Sequence, residues 1–384
     1  MPLLSANHIY SPEGLLTDHV LEVDAYGLVQ ALRPRQGAEV TEHHKGILCP
    51  GLINAHCHLE LSHLRGQMQR GTGMTGFVQE LWAKRNLLSP ADQAEAAAAV
   101  MEEMWWGGTA AVGDICNSAL TAGPKRAEAR LYTHSFLELL GLDARRVPDI
   151  LAQGEALTRD FQGLSHSLTL HAPYSVSPAL RDAFYARPQG RLSIHLLESE
   201  GERRFFAHGD GPMETFLSTF NLPRLRFPQP DPIAYICEGL APAQPVIWVH
   251  NTEMMAAEAT QVATGFPQAW FCLCPLSNDF LHGREPKLPV FLPWKDRLCL
   301  GTDSLASTDS PHVWDEALRV QALAPTLKTH DLLRMLTTQG AAALGMAGEL
   351  GIFAPGTRPG VLLIQGQEEV EGPLSPQARL RRLF

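Results

Sequence analysis

The stretch "PGLINAHCHLELSHLRG", Pro50 to Gly66, drives an apolar run, Leu48 to Ile53, straight into two histidines one residue apart. In a β-strand, side chains at i and i+2 point to the same face. His56 and His58 therefore share a face at the end of a buried strand, where two imidazoles can grip one metal ion. Cys57, between them, points the other way into packing. Two unliganded surface histidines would give the same short pattern, so the rest of the chain decides between the readings.

Strand-like runs recur downstream of this one. With "ILCPGLINAH" (47–56) they are "TAAVGDIC" (109–116), "RLYTHSFLEL" (130–139), "SLTLHA" (167–172), "LSIHLLE" (192–198), "PVIWVH" (245–250), "AWFCLCP" (269–275) and "RLCLGTD" (297–303), eight in all. Helical patterns lie between most of them. The clearest is "SPADQAEAAAAVMEEMWWGG", with Ser89 as N-cap, Pro90 in the first turn, Asp92 at the positive end and Gly107 as terminator. Eight strands alternating with helices predict an α/β fold, a (β/α)8 TIM-type barrel at residues 49–346. A doubly wound sheet is the alternative, since periodicity alone cannot close a barrel. The flanks, 1–48 and 347–384, read as short strands and Pro-Gly turns that pair into one small sheet unit.

In a barrel of this kind, chemistry gathers at the C-terminal ends of the strands. The first strand ends in His56 and His58, the fourth in His171, the fifth in His195, the sixth in His250 and the eighth in Asp303. Each alone is compatible with a satisfied rim residue; six together point to a metal centre. Imidazole nitrogen with one carboxylate and no thiolate suits Zn²⁺, with Fe²⁺ or Mn²⁺ as alternatives. His56, His58, His195 and Asp303 can hold one ion and leave a position for water, whose pKa then falls toward ~7. A lysine able to bridge a second ion is absent from the third and fourth strands, which favours one metal over two.

The bulk properties exclude other classes. The chain has 384 residues and is 45% hydrophobic and 19% charged, a globular composition. A net charge of -10, with no basic stripe outside the tail "RLRRL", argues against nucleic acid as a partner. No apolar run approaches ~18 residues, so no membrane span is expected, and no secretory signal is apparent at the N-terminus. Seven cysteines, an odd number in a long chain, suggest no disulfide framework and fit a reducing cytoplasm. Cys272 and Cys274 read as packing residues on one face of a buried strand. A small-molecule substrate is the expected partner, and a homodimer is left open.

The ordered motifs "PGLINAHCHLE", "HAPYSVSP", "SIHLLES", "VHN", "CPLSN" and "GTDSLAS" resemble the amidohydrolase superfamily, in its nucleoside and nucleobase deaminase branch. That branch includes cytosine, guanine, S-adenosylhomocysteine and aminofutalosine deaminases, and is related to the triazine chlorohydrolases. The resemblance covers roughly residues 1–366 and matches the flanks to the family's small β-sandwich. It implies hydrolytic deamination. Glu198, three residues after His195 in "HLLE", matches the glutamate that protonates the ring nitrogen and then the departing amine; a carboxyl beside an activated water can do this without being a ligand. Asp303 is expected both to ligate and to take the proton from the attacking water. His250 matches the histidine that hydrogen-bonds that water, and His171 one that contacts substrate in the purine nucleoside deaminases.

The substrate is read from fewer residues. "GMTGFVQELWAKR", Gly73 to Arg85, is expected as a helix over the pocket mouth, with Phe77 and Trp82 as an aromatic wall and Arg85 as a cation. An amphipathic helix merely docking on the barrel would show the same pattern. Glu60 could bind a base or ribose hydroxyl, or orient the histidines. Ser304 and Ser307 follow Asp303 in a loop facing the pocket, where either can contact substrate or simply shape the turn. The expected substrate is a 6-aminopurine nucleoside or derivative, such as 6-aminodeoxyfutalosine, adenosine or S-adenosylhomocysteine. The alternatives are a cytosine or guanine-type nucleobase, a chlorohydrolase or cyclic-amide reaction on the same scaffold, and a non-catalytic metal-binding protein.

Overall fold

The computed structural model describes residues 2–37, 39–219, 231–367 and 370–384. The apolar run Leu48–Ile53 that was expected within one strand belongs to two. β5 (Glu42–Cys49) ends and β6 (Leu52–Cys57) begins across Pro50-Gly51. Proline offers no N–H to continue the ladder. Gly51 is wedged so tightly that a Cβ would lie 2.5 Å from the Ala110 Cβ and 2.7 Å from the Pro359 carbonyl oxygen. The chain changes sheet at this point.

β5 joins β1 (Leu3–Ser11), β2 (Gly14–Leu16), β3 (His19–Val23) and β4 (Val29–Pro34) from the N-terminal flank. From the other end of the chain come β14 (Leu362–Gln365) and β15 (Arg379–Arg382), completing a seven-stranded sheet. The two flanks therefore pair, with β14 antiparallel to β5 in the register Leu363 opposite Leu48. Alternation gives each face its own core. Tyr10, Ile47, Cys49, Leu362 and Ile364 pack into the main body, while Ile9, Leu48 and Leu363 join a separate cluster with Leu21, Val29 and Phe353.

The remaining strands are parallel and follow one another in order, separated mostly by helices. β6, β7 (Thr109–Cys116), β8 (Tyr132–Leu139) and β9 (Ser165–Leu170) form one four-stranded sheet. β10 (Leu192–Leu196), β11 (Val246–His250), β12 (Ala269–Leu273) and β13 (Leu298–Leu300) form a second. β7 is buried along its whole length, which is why it reads as a continuous apolar run rather than an alternating one. A doubly wound sheet reverses its strand order at a switch point, and this sequential order does not. The two sheets meet through backbone hydrogen bonds: His195 N donates to His171 O (2.9 Å), and Asp303 N donates to His56 O (3.1 Å). One buried cluster draws Ile53, Ala111 and Phe136 from the first sheet and Ile247, Cys272 and Cys299 from the second.

Two helices follow β6. α1 (Gly73–Lys84) covers the "GMTGFVQELWAKR" stretch. α2 (Pro90–Trp106) starts where the capping signals place it: the Ser89 hydroxyl accepts from Asp92 N, and Gly107 closes the other end. The seven cysteines are unpaired. Among the described residues, no helix is long and apolar enough to cross a membrane.

Candidate active site

The strand-end residues converge. The Nε2 atoms of His56 and His58 lie 3.6 and 3.3 Å from Asp303 Oδ1, and His58 Nε2 lies 3.4 Å from His195 Nε2. His250 joins the same group, with ligand atoms of His56, His195 and His250 all within 4.8 Å of one another. The His250 and Asp303 backbones take φ values of 70° and 58°, in the left-handed region that non-glycine residues seldom adopt. Such backbone is held only where the surroundings over-determine it, and it is common at functional sites.

Neighbouring polar groups hold the Asp303, His250 and His195 side chains. Ser277 and Ser307 donate to Asp303 Oδ2 at 2.6 and 2.7 Å. Asn278 Nδ2 donates to His250 Nδ1 (3.2 Å), and His195 Nδ1 lies 3.1 Å from the His171 carbonyl oxygen. Burial disfavours the Asp303 carboxylate, but contact with His56 and the imidazoles of His58 and His250 outweighs it and holds the carboxyl well below its usual range. Burial pushes His250 down to about 3, so its ring is neutral at physiological pH. Glu198 has its Oε1 3.7 Å from His250 Nε2. Burial, then the negative charges of Asp303 and Glu202, push its carboxyl well above the ordinary value.

The donor set fits a divalent metal. His56 is fully buried, yet neither of its ring nitrogens has a hydrogen-bond partner. An unmet buried nitrogen costs about 1–3 kcal/mol, and an ion at Nε2 removes that cost. The other donors, imidazoles plus one carboxylate, are those of a Zn²⁺-type site.

A cavity of about 430 Å³ opens onto these groups. Its wall includes Phe77, Trp82 and Arg85 at the α1 end, together with Glu60, His171 and Ser304. Phe77 is mostly buried against Leu61, Leu64 and Phe280, so docking and pocket-lining both describe α1. The Trp82 ring meets that of Phe216 at 5.6 Å. Arg85 Nη2 lies 4.0 Å from Glu60 Oε1, so its charge is shared with that carboxylate. Glu60 bonds to Asn117 N and Ser118 Oγ rather than to the histidines. Ser307 is a correction: it is wholly buried behind Asp303 and does not line the cavity, because its hydroxyl is committed to the carboxylate.

Sequence reasoning missed two features. Glu138 sits at the end of β8, lines the cavity, and has Oε1 3.6 Å from His195 Nδ1. An acidic residue closing an apolar strand is the same signal that marks the histidines. The second is the buried pair Asp114–Lys125, 2.5 Å apart with both side chains fully buried. Asp114 Oδ1 accepts from Leu59 N (2.7 Å) and so pins the turn just past His58. Lys125→Ala strands a buried carboxylate and is expected to cost about 3–5 kcal/mol, read as a lower denaturation midpoint; an unchanged midpoint would contradict the pairing.

The fold and the centre together define a hydrolase built on parallel β/α units. A sequence profile of the amidohydrolase family matches residues 47–369, and the chain belongs to that family. It is 26% identical over 340 residues to an aminodeoxyfutalosine deaminase of Deinococcus radiodurans, covering 84% of this chain and 79% of that one. The crystal structure of Helicobacter pylori aminofutalosine deaminase in complex with methylthio-coformycin is similar over 100% of both chains, with TM-score 0.79 and 20% identity. Atrazine chlorohydrolase from Arthrobacter aurescens, complexed with zinc, is similar over 94% of this chain and 86% of that one, with TM-score 0.72 and 18% identity.

Proposed function

We propose that the protein is a metal-dependent hydrolytic deaminase of a 6-aminopurine nucleoside or close derivative. The convergence of His56, His58, His195 and Asp303 on one cavity, with Glu198 poised beside His250, carries this reading. The names of the relatives point the same way. A volume of about 430 Å³ lies in the range of small-molecule sites. The eight parallel strands are taken to act as one closed (β/α)8 barrel over residues 49–346, with 1–48 and 347–384 as a small β-sandwich; the shared cluster across the two sheets and the separate flank core support both units. The unpaired cysteines fit a cytoplasmic setting.

His56, His58, His195 and Asp303 would hold one divalent ion, Zn²⁺ by preference, and when bound it supplies a water activated for attack at neutral pH. Asp303 accepts the proton that this water sheds. His250 presents its neutral ring to the water and to the carbon under attack. Glu198 gives its proton to the ring nitrogen next to that carbon, takes up the hydroxyl proton of the tetrahedral centre as the carbonyl forms, and passes it to the amine as ammonia leaves; the proton held by Asp303 then restores Glu198. The buried position of Glu198 keeps bulk water from taking that proton.

Ammonia release from adenosine, S-adenosylhomocysteine, 6-aminodeoxyfutalosine, cytosine and guanine tests the substrate class. At least one 6-aminopurine nucleoside is expected to turn over; reaction of a free base alone would overturn the reading. Chelation is expected to abolish turnover, and Zn²⁺ to restore it. A rate indifferent to chelation would remove the metal from the mechanism. Chloride release from a chlorinated ring, with no ammonia from any nucleoside, would favour the chlorohydrolase chemistry of the Arthrobacter relative.

A further inference from the structure

The mechanism leaves one buried acceptor unused. The Glu138 side chain is 3% exposed, faces the cavity, and its Oε1 has no hydrogen-bond partner. Its other oxygen accepts from Asn117 Nδ2 (2.8 Å). The same Asn117 donates its backbone N–H to Glu60 Oε2 (3.2 Å). Asn117 thus ties two carboxylates to one wall; Glu138 Oε1 is left without a partner, while Glu60 Oε1 faces Arg85 Nη2 at 4.0 Å. Glu138 is not needed to set the His195 tautomer, because the His171 carbonyl already lies 3.1 Å from Nδ1 while Glu138 stands off at 3.6 Å.

We infer that Glu138 and Glu60, joined through Asn117, form a subsite that accepts hydrogen bonds from two neighbouring hydroxyls of the substrate's sugar. This rests on the nucleoside reading and extends it. The unpartnered carboxyl oxygen of Glu138 accepts hydrogen bonds, so its natural partner is a donor, and a vicinal diol presents two. The placement suits a nucleoside: Glu138 lies on the Nδ1 side of His195, whose Nε2 faces the ligand cluster.

The test is calorimetric binding of inosine and 2′,3′-dideoxyinosine, which are not consumed, to the zinc-loaded full chain and its variants. The wild type is expected to hold inosine about 10- to 100-fold tighter. In Glu138→Gln the ratio is expected to fall to about 3-fold or less, with zinc content retained. Glu60→Gln reads the same subsite should the first variant fail to fold. Equal affinities in the wild type would overturn the inference. An unchanged ratio in Glu138→Gln would also overturn it, including the case where zinc is lost and the carboxylate merely orients His195. Failure of the deaminase reading looks different: no ammonia from adenosine while the affinity ratio persists.

Discussion

Replacing Glu198 by glutamine is expected to lower kcat for ammonia release by about 10²- to 10⁴-fold without displacing the metal. Glutamine keeps the volume and a carbonyl oxygen but has no proton to give. The effect should fall on kcat rather than KM, because the proton moves only as the ring nitrogen gains basicity in the transition state. The large expected loss follows from position: the side chain is only 4% exposed and faces the cavity beside His250, so few other groups can take over its proton transfer. Steady-state kinetics with metal analysis on the same preparation check this. A Glu198→Gln enzyme within tenfold of wild type would remove the residue from the proton path.

Asp303 carries a second large effect for a different reason. Asp303→Ala removes both a ligand and the acceptor of the water's proton, and turnover is expected to fall by about 10⁴-fold or more with metal content well below one per chain. Asp303→Asn separates the two roles. It keeps the shape that Ser277 and Ser307 hold in place, yet it is a poorer ligand and a very weak base. It should retain more metal than the alanine variant and still turn over at least about 10²-fold more slowly than wild type. Near-normal rates in Asp303→Asn would place the proton acceptor elsewhere, with His250 the next group to test.

Much of the fold is local in origin, and that part is readable from residues. The parallel strands announce themselves as buried apolar runs, and α2 by Ser89, Pro90 and Gly107. The histidines stand out because a polar residue closing an apolar run has few structural reasons to be there. What resisted reading was non-local. The shared texture of the two flanks suggests that they pair, but nothing near Leu48 gives the register of β5 against β14 more than 300 residues later, and only the Pro50-Gly51 break hints that the run serves two sheets. The Asp114–Lys125 pair, eleven residues apart, meets only once β7 and the helix after it are placed. Glu138 is legible by the same rule as the histidines, a polar residue at the end of an apolar strand, but its nearness to His195 is set by the pairing of β8 with β9 and the seam to β10. Ser307 lies in the expected loop, but its hydroxyl serves Asp303, a preference no spacing encodes.

The seams between the parallel sheets carry a consequence of their own. One is bonded through His171 and His195, the other through His56 and Asp303. Two imidazoles of the centre come from the first sheet, while the third and the carboxylate come from the second. Neither sheet alone carries the whole donor set, so the candidate centre exists only once both seams are closed.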